Sequence, residues 1–364
     1  MGVERNVMPS ARIGTIDALR GVASCSVVWF HSTHGIPNFL PAGAFKASGT
    51  YGWLGVQMFF VISGFVIPYA LYNAGYERHD FGRFLAKRIT RLHPPYLVSI
   101  ILALIIAYKL PQAVLFGAGL ARPDITLAQI LAHLCYLNSM IGKPWLVPAY
   151  WSLGIEFQFY LLTGLLFSFL TSSRLRTRLQ STAAMLIPSL VLRQHGLLFV
   201  HMPIFVVGIA TFQTRVGLLS NRIWAAVVLV ASGVIGVTSG IPAAVVAVLC
   251  GTVILHVKLR SRVWCWLGMI SYSLYLVHGP IGGTLLMRIS RFTPNPSGRT
   301  LAVLFAVGVS IVSAYLFYRA VELPSQHLSS RLSYEVHTRR GSALAVEAAG
   351  EIGASTYGAL PGTR

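Results

Sequence analysis

Apolar stretches of about 20 residues recur along this chain with short polar joints between them, and about 20 such residues make a helix that crosses a bilayer. They lie at 16–36, 52–73, 95–116, 148–171, 182–194, 196–213, 223–239, 241–257, 264–287 and 301–321. Because a spanning backbone must satisfy its own hydrogen bonds, the pattern predicts an all-α polytopic membrane protein, with about ten transmembrane helices within residues 1–330. The fifth and sixth windows are short and barely separated by VLRQHG around Arg193. The segment at 125–141 is amphipathic and reads as interfacial or re-entrant rather than spanning. Residues 331–364, rich in Gly, Ala, Ser and Thr without periodicity, read as a disordered cytoplasmic tail.

Composition supports this class. Of the 364 residues 55% are hydrophobic and only 11% charged, against about 25% charged in a soluble domain; mean hydropathy is +0.66. The net charge of +19 is scattered between apolar spans rather than gathered in a basic domain, which argues against nucleic acid and for lipid headgroups. Of the Lys and Arg residues, 19 fall in the N-terminus, alternate loops and the C-terminal tail, and 7 in the opposite loops. The positive-inside rule then places both termini in the cytoplasm. Cys25, Cys135, Cys250 and Cys265 show no ligand spacing, so neither a metal nor a disulfide is expected. No cleavable signal is apparent at the N-terminus, so the first span is expected to direct insertion.

Three of these spans carry an acid-base group, which is costly in a bilayer and therefore a pointer to function. His31 lies in the first, Glu156 in the fourth and His278 in the ninth. Asp17, Arg20, Ser24 and His31 share one helical face, as do Ser152, Glu156, Tyr160 and Thr163 on the fourth span, and Ser271, Tyr275 and His278 on the ninth. Counted from the span ends, the three acid-base groups arrive at similar depth. A lone buried histidine more often fixes helix packing, but an imidazole beside a carboxylate is the usual arrangement for taking a hydroxyl proton near neutral pH. After the second span, Arg83, Lys87, Arg88 and Arg91 repeat at helical spacing. Arg88 and Arg91 form a two-pronged face suited to phosphate, or alternatively an anchor for lipid headgroups. Ser63 and Gly64 in mid-span read as small residues that let helices approach.

Five ordered segments, IDALRGVASCSVVWFH (16–31), GWLGVQMFFVISGFVI (52–67), KRITRLHPPY (87–96), AYWSLGIEFQFYLL (149–162) and ISYSLYLVHGPI (270–281), resemble the signatures of the acyltransferase-3 family. Its members are integral membrane O-acyltransferases of surface polysaccharides, lipopolysaccharide and related acceptors. The resemblance runs over about residues 10–325 and is specific through the order of its motifs. It implies His31 as the essential base or acyl carrier, Arg88 and Arg91 as the pair linked to acyl-CoA use, and Glu156 as the glutamate of the motif begun by Trp151 and Ser152. Gln57 departs from the pattern, since many relatives carry an acidic residue there. The soluble C-terminal domain of some members is not expected here, so partner proteins that complete the transfer, periplasmic or glycan-assembling, would be separate chains.

The resemblance and the spacing together give an expected mechanism. Acyl-CoA, with acetyl-CoA as the default cosubstrate, docks its phosphates at Arg88 and Arg91 and sends its thioester toward His31 through one continuous cavity. His31 deprotonates a hydroxyl of a saccharide or glycolipid acceptor, or carries the acyl group itself; Glu156 orients the imidazole, and Tyr275 or Ser152 donates to the oxyanion. Asp17, Arg20, Trp151 and His278 are supporting residues. The location expected for such a multi-pass enzyme is the bacterial inner membrane. The rival reading is a transporter or flippase for a lipid-linked saccharide or small anion, disfavoured by the absence of an internal repeat.

Overall fold

A computed structural model describes residues 14–109, 125–192, 194, 196–259 and 261–332. All regular elements among them are helical. In chain order they are α1 (Gly14–His34), α2 (Ala44–Ala47), α3 (Leu54–Asn73), α4 (Phe81–Lys109), α5 (Leu127–Leu134), α6 (Trp151–Leu170), α7 (Leu175–Val191), α8 (Leu198–Arg215), α9 (Asn221–Ser239), α10 (Ile241–His256), α11 (Arg262–Met269), α12 (Ser271–Val277), α13 (Thr284–Ser290), α14 (Pro296–Phe317) and α15 (Leu323–Ser330). The tail from Ser333 on, the expected span residues 110–116, and Arg122 and Arg193 lie outside the described residues.

Six stretches among the described residues are long and apolar enough to cross a membrane: Leu54–Asn73, Arg78–Lys109, Pro148–Leu170, Leu198–Arg215, Asn221–Ser239 and Pro296–Ser330. The shortfall from the expected count of about ten spans has local causes. α1 dilutes its apolar residues with Asp17, Arg20, His31 and His34, α7 opens on Arg176 and Arg178, and α10 is apolar but short. The ninth window is not one helix. It breaks into α11, α12, a π-helical turn His278–Gly283 and α13; the π turn encloses Pro280, which has no N–H to donate and whose ring the wider turn accommodates.

The third window extends further back than hydropathy indicates. α4 has 29 residues, about 44 Å, so Arg83, Lys87, Arg88 and Arg91 stand on the same rod as the apolar half. Pro94 and Pro95 lie inside it and deprive the carbonyls of Thr90 and Arg91 of their usual helical donors. The 125–141 segment holds only the eight-residue α5, capped by the Thr126 hydroxyl on the Gln129 amide. Its His133 bridges the Gln129 carbonyl (2.8 Å) and the Leu146 amide (3.0 Å). Burial pulls this imidazole below its ordinary range, with the Gln129 bond opposing; the result is a fixed loop that carries Tyr136 inward.

α8 is the central helix, 83% buried along its apolar window, as expected of a helix apolar on every side. It crosses α3 where Gly64 meets the Phe205 carbonyl and Gly208 the Val61 carbonyl; a Cβ at either would collide with backbone. α1 and α11 meet the same way, Gly21 against the Trp264 carbonyl and Gly268 against the Asp17 carbonyl. Small residues at such crossings exchange side-chain volume for close backbone contact. Pairings such as Phe60 with Trp151, Phe60 with Phe205 and Tyr72 with Phe212 show that α3, α6 and α8 run in one direction. α1 runs against α3, Gly52 lying on Ser26 and Gly55 on Ala23, and alongside α12.

Candidate functional site

The parallel run of α1 and α12 brings His31 and His278 together, ring centroids 5.3 Å apart and tilted by 39°. His278 is buried, and its Nδ1 lies 2.8 Å from the Tyr275 carbonyl and 3.1 Å from that of Leu274. A carbonyl only accepts, so Nδ1 carries the proton and Nε2 keeps its lone pair. His31 is half-buried at the end of α1. The site therefore joins two imidazoles.

Glu156 has another partner. Its Oε1 accepts a 2.6 Å bond from Ser63, so Ser63 is more than a small packing residue, while Gly64 beside it does make the close crossing. The Glu156 side chain lines a narrow cavity with Arg88, Ile89, Leu92, His93, Tyr136, Leu153, Phe157, Tyr160 and Tyr272. Neither His31 nor His278 is part of that lining. Burial, and after it the Glu156 charge, pushes the Tyr136 phenol above its ordinary value, which keeps it a neutral donor.

Tyr275 stands between the two regions, one turn from His278. Its hydroxyl donates to the Ala149 carbonyl at 2.6 Å and shares a 2.6 Å bond with Ser152, itself one turn from Glu156. Both hydroxyls expected to serve an oxyanion are engaged with protein. Trp151 packs on His201 and Phe60, centroids 5.1 and 6.1 Å away.

The polar side chains form a column that runs from His31 and His278 past Tyr275, Ser152 and Glu156 to Arg88, whose guanidinium lies over the rings of Tyr160 and Phe84, 5.5 and 5.6 Å from the centroids. Arg91 feels the charges of Arg88, Arg20 and Glu322. Among the described residues, Arg20, Arg88 and Arg91 close no hydrogen bond or ion pair, an arrangement that leaves their donors for an anion. Along α1, Arg20 and His31 are about 16 Å apart. Asp17, the remaining supporting residue, is half-buried at the α11 crossing.

Several residues escaped the sequence reading. Glu322 is buried and accepts from the Ser273 amide and hydroxyl and from Gln326. The signal was present, a carboxylate closing the apolar run before Pro324, and was masked by its place near a span end. His201 sits in the first turn of the apolar α8 and is open to the same logic that singled out His31. His93, bonded through Nε2 to the Leu134 carbonyl at 2.8 Å, was hidden in the basic motif.

Comparison with known proteins places this geometry. A family model for an acyltransferase domain, that of acyltransferase-3, matches residues 13–319. An O-acetyltransferase, OatA, of Staphylococcus aureus is 31% identical over 163 residues, which cover 43% of this chain and 24% of the relative. The chain thus spans about a quarter of that protein's length. Acyltransferase MdmB of Streptomyces mycarofaciens is 25% identical over 341 residues, covering 78% of this chain and 83% of the relative. No solved structure matches the chain.

Proposed function

The chain belongs to the acyltransferase-3 family and is a multi-pass membrane acyltransferase; from that premise we propose that it moves an acyl group, acetyl by default, from acyl-CoA to a hydroxyl of a cell-surface or exported saccharide, working in the bacterial inner membrane. The observation that carries the reading is one polar column with two unlike ends: an imidazole pair at one, and three guanidinium groups without hydrogen-bonded partners at the other. Membership of the family also takes the place of the carrier reading.

The cosubstrate's phosphates are held by Arg88 and Arg91, with Arg20 adding charge, at the cytoplasmic end. Its narrow pantetheine arm enters the cavity past Tyr160 and Glu156, and reaching His31 requires parting the bond between Tyr275 and Ser152. In direct transfer, the acceptor oxygen attacks the thioester carbonyl, its proton passes to His31, the carbon–sulfur bond breaks, and the departing thiolate takes the proton back. In the two-step route His31 attacks first, CoA leaves as thiol, and the acyl-imidazole is then opened by the acceptor hydroxyl. In either route His278 is the neighbour of His31. Its proton is held on Nδ1 by two carbonyls, so its Nε2 is the atom that can accept a hydrogen bond from the His31 ring and stabilise charge developing there.

The test replaces His31 with alanine and follows the mass of the native glycan in membranes. The expected outcome is loss of the acyl increment, a fall of about a thousand-fold in transfer, at unchanged protein level. Retained modification would discard the proposal.

A further inference from the structure

The arginine end contains a charge that the transfer chemistry does not use. Glu322 closes the π-helical turn Tyr318–Glu322, only 2% exposed. One carboxylate oxygen accepts from both the backbone amide (3.1 Å) and the hydroxyl of Ser273, and the other from Gln326 at 2.9 Å. The turn packs directly on α4, the arginine helix. The Tyr272 hydroxyl ties α12 to the Leu92 carbonyl of the same helix at 2.9 Å. The turn that carries the carboxylate thus packs on the arginine helix, and the group feels the charges of Arg20 and Arg91, yet among the described residues it forms no ion pair with either; its hydrogen bonds go to α12 and its own helix. A buried anion placed beside cations and bonded elsewhere costs desolvation without the gain of a closed pair. Such a group can hold the guanidinium donors together in the absence of ligand and leave them open.

We propose that Glu322 is a built-in counter-ion of the arginine cluster, a positioning residue that sets how tightly the phosphates of the CoA moiety are held and so permits release of free CoA after transfer. This rests on the reading of Arg88 and Arg91 as a CoA-phosphate site. A phosphate entering the cluster shares its field with Glu322, so the carboxylate weakens binding of substrate and product alike. The chemical class it acts on is the polyanionic nucleotide end of the cosubstrate, not the acceptor.

The test uses the full chain purified in detergent and free CoA as the probe, with binding followed by calorimetry at low and at moderate salt. Glu322→Gln keeps the shape and can still accept from Ser273. It is expected to bind CoA about five-fold more tightly than the unaltered chain, with the difference shrinking as salt rises, and to turn over more slowly at saturating acetyl-CoA as product release becomes limiting. Should that variant fail to fold, Gln326→Lys sets an ammonium beside the carboxylate in place of the amide and is expected to strengthen CoA binding about three-fold. A merely structural role would leave CoA affinity unchanged in folded variants, or lower it in Glu322→Gln, and either result overturns the proposal. Wild-type chain that binds no CoA would instead bring down the underlying reading of the arginines, and this proposal with it.

Discussion

The two ends of the polar column are built on opposite plans. At one, His31 and His278 are set ring to ring, and His278 has its tautomer fixed by two carbonyls. At the other, Arg20, Arg88 and Arg91 are gathered with Glu156 and Glu322, but among the described residues the guanidinium groups have no hydrogen bonds of their own. The first end is complete without a ligand, as a centre for proton or acyl transfer must be if geometry is to be ready before the substrate arrives. The second is left incomplete, as an anion site must be if a ligand is to supply the missing acceptors. On the proposed function, the difference teaches that packing and hydrogen bonding are concentrated where atoms would react, while unsatisfied charge is left where a soluble polyanion would enter and leave.

The comparison breaks most visibly if His278 is replaced. Alanine there is expected to lower kcat about a hundred-fold while the KM for acetyl-CoA stays within about two-fold, because the ring acts beside His31 and not on the phosphates. Steady-state kinetics on purified protein read the split, and a rise in KM instead would erase the distinction between the ends. Arg91→Gln sharpens the same contrast from the other side: KM for acetyl-CoA rises about ten-fold with kcat little altered, and the loss is largest at low salt. The smallest effect is expected between the ends. Ser63→Ala removes one hydrogen bond to Glu156 and costs about 1.5 to 3 kcal/mol of stability, read as a lowered thermal midpoint in detergent, with activity per folded molecule reduced only a few-fold.

Much of the helical framework was legible because apolar length and positive charge are properties of a segment alone. His31, His278 and Glu156 stood out for the same reason, each being an ionisable group in a stretch that excludes water. What could not be read was the pairing. Ser63 and Glu156 are 93 positions apart, and their contact depends on how α3 and α6 are rotated about their axes, which the glycine crossing of α3 with α8 decides. The bond from Ser63 to the carboxylate was therefore not foreseen, and the histidine beside His31 was given only a supporting place. The π turn at Pro280 in the ninth window shows the converse: the proline is plain in the sequence, but whether the chain kinks, stops or widens there depends on α14, which closes on Gly282 through Ser310. Glu322 was lost by its position, since a carboxylate at the end of an apolar run reads as solvated unless the packing of α4 against it is known.

The crossing of α1 with α11 has a bearing on motion during turnover. Gly21 and Gly268 let two main chains touch without side chains between them, so the helices that lead to the two imidazoles are held together through backbone. A joint of that kind does not slide. Whatever opens to admit a thioester must therefore move around a rigid α1 and α12 unit, and the hydroxyl pair on Tyr275 and Ser152, which belongs half to that unit and half to α6, marks the seam along which the two parts can separate.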